Sequence, residues 1–221
     1  MGKTALVLAA VMGAGLLAGC GGAPSEPKAQ YNGVKSLPES LSADGSMIVV
    51  GDPQAPMTLR VYEDLTVAVC RNFETTDIGP DLRSLMLTGE VKTEYVFSSV
   101  FDDDWEEGGA LWVINALRAA LEQDRFAEYH KVIAENYTTG GYTKTSLVRL
   151  ASRVPGLRTE AFENAVVNGE FSSFVADAEK TFDEGAAGAP TLVIDGKELP
   201  TLRQTRLYGE GRLIDYIHNL Q

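Results

Sequence analysis

Cysteine is nearly absent from this chain: Cys20 and Cys70 are the only two in 221 residues. Histidine is equally scarce, with His130 and His218 far apart. One or two sulfurs and two distant imidazoles show no metal-ligand spacing, so the sequence predicts no metal and no cofactor. Positive charge is in the minority: 19 Lys and Arg against 31 Asp and Glu give a net charge of −12, with no basic run. That excludes non-specific binding to nucleic acid or to anionic lipid, since both need a positive field. The apolar stretch near the start is short for a membrane-crossing helix, which needs about 20 residues. Internal repeats are missing as well.

What remains is ordinary globular material. The chain is 44% hydrophobic and 23% charged, enough to bury a sizeable core in one domain with an insertion, or in two small ones.

Residues 1–19 have the layout of a signal peptide: Lys3, then apolar residues from Ala5 to Ala18, then small residues. Leu17-Ala18-Gly19-Cys20 resembles the bacterial lipobox, which implies removal of residues 1–19 and lipidation of Cys20. Two other readings stand beside it, an ordinary signal peptide with a chance cysteine and a short anchor. Lipidated Cys20 would hold the protein on the extracytoplasmic face of a cell membrane. Cys70 would then be the only thiol, and no intramolecular disulfide could form.

Residues 20–46 are rich in Gly, Pro and Ser and read as a flexible tether. The fold is expected from about Met47. Met57, Leu59 and Val61 alternate with Thr58, Arg60 and Tyr62, the period of a strand. A helix follows from about Val67, with a restart at Gly79-Pro80 and a stop at Gly89. Residues 91–100 read as the next strand, so 47–101 forms a βαβ unit. Residues 102–182 are helical, with stripes such as Ala110, Ile114, Leu117 and Leu121, or Phe126, Tyr129, Ile133 and Tyr137. Residues 183–221 return to a hairpin turning at Asp195-Gly196 and a closing helix.

Four segments carry a resemblance: "GDPQAP" before the first core strand, "YEDLTVAVCRNFE", "DRFAEYHKVIAEN" and "GAAGAPTLVIDGK". In this order they resemble the DsbA-type thiol-disulfide oxidoreductases over residues 47–221. The resemblance implies an α/β, thioredoxin-like fold with an inserted helical domain, and a cis-proline at Ala189-Pro190. It also implies a Cys-x-x-Cys motif, and here the chain departs. Val67-Ala68-Val69-Cys70 stands over that motif, so Val67 holds the nucleophile position. Valine has no lone pair and no proton to lose, so the dithiol mechanism is closed to it. The family predicts an enzyme, and the residues argue against one.

Cys70 then has two readings, an inert buried side chain or a lone reactive thiol. Pro190 also has two. It only shapes a strand start, or the backbone at Ala189 and Pro190 takes an extended peptide or envelope protein by strand addition. Glu63 and Asp64 end a strand and favour a helix N-terminus, or supply the buried acid that redox-active relatives use. The acidic run "FDDDWEEGG" at 101–109 lacks the spacing of a calcium loop, and "NYT" at 136–138 fits a glycosylation pattern. Three functions follow from these residues: a redox-inactive peptide-binding protein in envelope folding or assembly, an oxidoreductase or isomerase working through Cys70, and a structural envelope lipoprotein.

Overall fold

The computed structural model describes residues 29–76, 78–99, 109–137, 141–200, 206–207 and 212–220. Its centre is a six-stranded mixed sheet in the order β1-β2-β4-β3-β5-β6. The strands are β1 (Glu39–Leu41), β2 (Ile48–Val50), β3 (Met57–Glu63), β4 (Val91–Phe97), β5 (Thr191–Ile194) and β6 (Lys197–Glu198). Only β3 and β4 run parallel, in register from Met57↔Val91 to Glu63↔Phe97. Parallel neighbours need a crossover, and it is made by α1 (Ala68–Thr75) and α2 (Ile78–Leu87).

The alternation in β3 behaves as its period requires. Met57, Leu59 and Val61 are buried, while Thr58 and Arg60 are only partly so. Gly79 permits the joint between α1 and α2, because a side chain there would meet the Glu74 carbonyl oxygen at 2.1 Å. The turn Asp195-Gly196 has positive φ at both residues (46° and 77°), the backbone of a tight two-residue hairpin.

Between β4 and β5 lies the helical insertion: α3 (Ala110–Leu121), α4 (Phe126–Glu135), α5 (Lys144–Ala151), α6 (Glu160–Asn168) and α7 (Ser172–Gly185). The stripe expected on α3 understates its burial, since every residue of α3 except Arg118 is buried. Asn115 inside it donates to the Ala165 carbonyl and accepts from the Phe171 N–H, tying α3 to both α6 and the start of α7. Tyr137, expected on the α4 stripe, lies beyond the end of α4 and is 39% exposed. The closing helix, α8 (Arg212–His218), is capped by Asp81 of α2, which accepts the Leu213 N–H at 2.9 Å.

The tether needs a correction. Residues 20–46 read as flexible from composition, yet the segment from Gln30 onward belongs to the fold. The Gln30 and Tyr31 N–H groups donate to the Leu87 carbonyl at the end of α2. β1 pairs antiparallel with β2. The Glu39 carboxylate accepts the Phe126 and Ala127 N–H groups, both at 2.8 Å, and so caps α4. Composition missed this because the attachment is made by backbone groups and one carboxylate rather than by an apolar stripe. The expected signal peptide and Cys20 lie outside the described residues, as does all of the acidic run but Gly109; so does Thr138 of "NYT". Among the described residues, no helix is long and apolar enough to cross a membrane.

Candidate functional site

β3 ends at Glu63, and the chain turns sharply into α1. Asp64 organises the turn: its Oδ1 accepts from the Thr66 N–H at 2.8 Å and from the Thr66 hydroxyl at 2.6 Å. The Val67 N–H donates to the Asp64 carbonyl. Val67 is the N-cap of α1, extended at φ −86° and ψ 129°, with no side-chain cap. A sulfur here would stand at the positive end of a helix, where a thiolate is favoured. Valine occupies the position instead, partly exposed, followed by exposed Ala68 and by Val69 at 45%.

Cys70 lies one turn on and is completely buried. Its Sγ accepts a long hydrogen bond from the Asp64 N–H. Burial pushes the thiol up to about 12, and the carboxyl groups of Glu63, Asp64 and Glu74 push the same way, while the Asp64 N–H opposes them. A reactive thiol needs access and a lowered pKa, and Cys70 has neither. Arg71 closes the outer side of the turn. Its guanidinium donates to the Leu65 and Thr66 carbonyls and lies 3.6 Å from the centre of the Tyr137 ring.

The other half of the site comes from β5. The Ala189–Pro190 peptide bond is cis, as the resemblance implies. The pairing Tyr62↔Thr191 sets Pro190 beside the carboxyl end of β3. Ala189 is half-buried and packs against the small cluster of Met47, Tyr62, Val96 and Phe182. β6 pairs only with Val193 and Ile194, so the strand edge at Ala189 and Pro190 has no strand beside it among the described residues. A cleft of about 430 Å³ opens alongside, lined by Ser98, Ser99, Glu179, Phe182, Asp183 and residues 186–188.

Beneath the turn lies a group of side chains that the sequence does not bring together. His130 of α4 meets Glu63 at 2.5 Å through Nε2 and faces Glu74 of α1 at 3.8 Å through Nδ1. Arg83 of α2 approaches the same Glu74 oxygen, Oε2, at 3.4 Å. The rings of Tyr95 and Phe126 enclose the imidazole, with centroids at 4.8 and 5.3 Å. Burial drives each of the three groups toward its uncharged form. Glu63 is raised well above the usual carboxylate range, with Asp64 adding to the shift. Glu74 is pushed up to about 7 by burial and Glu63, against the pull of His130 and Arg83. His130 is lowered by burial and by Arg83, while Glu74 pulls it back. His218, by contrast, sits on the surface beside Glu90. A sequence signal for the buried group does exist. Glu74 follows Cys70 and Phe73, and His130 follows Phe126 and Tyr129, at spacings that place both on core faces of their helices.

Against known proteins, a family model described as thioredoxin matches residues 43–208. No curated protein matches the chain. Among solved structures the chain is similar to oxidised BdbD from Bacillus subtilis, with a TM-score of 0.64 and 17% identity over 83% of this chain and 97% of that one. It is similar to MdbA, a thiol-disulfide oxidoreductase from Corynebacterium diphtheriae, at TM-score 0.63 and 17% identity, over 84% and 98% of the two chains. DsbA from Chlamydia trachomatis follows at TM-score 0.61 and 20% identity, over 78% and 92%. At these identities the likeness is one of fold.

Proposed function

The chain belongs to the thioredoxin family, and from that membership and its valine-capped helix we propose a DsbA-like protein of the cell envelope that binds without exchanging disulfides. In this reading it is held at the extracytoplasmic face of the membrane by lipidated Cys20. It takes an extended peptide or partner segment along the strand edge at Ala189 and Pro190, in folding or assembly of envelope proteins. The observation that carries the proposal is Val67 at the helix entrance with Cys70 buried behind it. Dithiol exchange needs an exposed sulfur where Val67 stands, and a fully buried neutral thiol does not replace it. Strand addition uses backbone groups and does not depend on sulfur. Val67, Ala68 and Val69 add a small exposed apolar surface at the same end of the sheet.

The test is oxidation of a reduced, unfolded substrate by the natural protein and by a Val67→Cys variant, with binding of the same substrate followed by fluorescence anisotropy. The natural protein binds and does not oxidise, and the variant gains turnover. Turnover by the natural protein would establish Cys70 as a working lone thiol and overturn the proposal. Absence of both binding and turnover would leave a structural envelope lipoprotein.

A further inference from the structure

Glu63, Glu74 and His130 arrive at one point from the end of β3, the buried face of α1 and the buried face of α4. One donor atom from each lies within 4.8 Å of the others. Their exposures are 0, 1 and 2%. A second observation is independent of this clustering. Glu63 Oε2 and Glu74 Oε1 are buried without a hydrogen-bond partner among the described residues. Leaving a buried acceptor bare is destabilising. The other buried acids have donors, Asp64 from Thr66 and Asp81 from the backbone of α8, while Thr93 Oγ1 and Glu128 Oε2 are further bare atoms outside this group. Each carboxylate thus has one oxygen toward His130 and its second oxygen bare, so the group holds more donor atoms than partners for them.

We propose that Glu63, Glu74 and His130 bind a single first-row divalent metal ion of the Zn²⁺, Co²⁺ and Mn²⁺ class. Carboxylate oxygens with one imidazole nitrogen suit these ions, whereas Ca²⁺ and Mg²⁺ take oxygen alone. A dication also balances two ionised carboxylates in a closed site. Both oxygens of Glu63, one of Glu74 and one nitrogen of His130 fill four positions without a water. Metal–donor bonds of about 2.0–2.2 Å set donors of different residues roughly 3.4 Å apart, while the two oxygens of one carboxylate stay closer. His130 Nε2 and Glu63 therefore part from 2.5 Å, and Glu74, which faces Nδ1 at 3.8 Å, turns toward the nitrogen that holds the ion. Arg83, which donates to Glu74 Oε2 and to the Glu74 backbone carbonyl, orients that ligand and leaves Oε1 to the ion. With no open coordination position, the ion is structural: it pins the helical insertion through α4 to β3 and α1. This inference does not depend on the proposed function.

Because the site is closed, the ion is loaded during folding. The full chain in detergent is unfolded with chelator, then refolded with and without Zn²⁺ or Co²⁺ and dialysed. One ion per chain is expected by mass spectrometry, with a melting temperature raised by several degrees. The Co²⁺ form should show the visible absorption of a four-coordinate centre. Glu74→Gln keeps the side chain's shape and should lose the ion, the colour and the thermal shift while keeping the native circular dichroism. Should Glu74→Gln not fold, His130→Gln takes its place. Equal metal uptake by wild type and variant, with no thermal shift, would mean adventitious binding to the acidic surface and would overturn the proposal. Natively refolded wild type that retains no ion would do the same, leaving a group of side chains that share protons.

Discussion

The Asp64 N–H donates to the Sγ of Cys70 across 3.5 Å. The sulfur is thus an acceptor within the turn that precedes its own helix, facing away from solvent. Cys70 should remain unmodified by a thiol reagent under native conditions and react within the dead time of mixing in denaturant. Rapid native labelling would mean that the turn opens.

The same burial gives a pH dependence of defined sign. The thiol titrates at about 12 in the folded protein against 9.0 in the unfolded chain. Below pH 9 both states hold the proton and Cys70 adds no slope. As pH rises from 9 toward 12, only the unfolded chain releases it, so stability falls by at most about 1.4 kcal/mol per pH unit. Urea midpoints at pH 8 and pH 10 should therefore show the gap between wild type and Cys70→Ala narrowing at the higher pH.

Val67→Cys restores a sulfur at the helix entrance. On oxidation its thiol titration should fall to zero, because the new sulfur and that of Cys70 lie one turn apart and close a disulfide. A count that stays at two after oxidation would show that the turn cannot bring the sulfurs together.

Glu39 joins the N-terminal segment to the insertion by capping α4. Glu39→Ala should lower stability by about 1–2 kcal/mol, the range for a lost helix cap. Glu39→Gln keeps one acceptor and should recover part of that loss. Urea unfolding of the two variants separates the acceptor from the charge.

Gly185 ends α7 against Tyr62, and a methyl group there would sit 2.3 Å from the Tyr62 hydroxyl. Gly185→Ala should cost about 1–3 kcal/mol, as overpacking does. Adding Tyr62→Phe removes the nearest atom but leaves ring carbons at 2.8 and 2.9 Å, so it should restore only part of the stability in a double-mutant cycle.

The order of elements was legible because periodicity and punctuation agreed. The alternation of 57–62 and the Asp195-Gly196 turn each name a local conformation that the structure adopts, while the break expected at Gly79-Pro80 falls just before those residues, since α2 already starts at Ile78. Val67 was legible as a gap in a motif. The buried Glu63–His130–Glu74 group was not, because its members come from three elements and no linear spacing unites them. What the sequence did contain was weaker: a Glu and a His at helix positions where the apolar pattern continues on either side. Residues 30–46 failed for the opposite reason. Three residues of edge strand and a single capping carboxylate leave no period to detect, while Gly, Pro and Ser are conspicuous.

That early attachment changes how far the protein reaches. A free tether over 20–46 would extend to about 90 Å at about 3.5 Å per residue, but with the fold engaged from Gln30 the leash from Cys20 spans at most about 35 Å. On lipidated Cys20 the sheet edge at Ala189 would patrol a shallow layer above the bilayer. Its clients would then be chains emerging from that membrane or lying upon it, with those diffusing through the wider envelope space beyond its grasp.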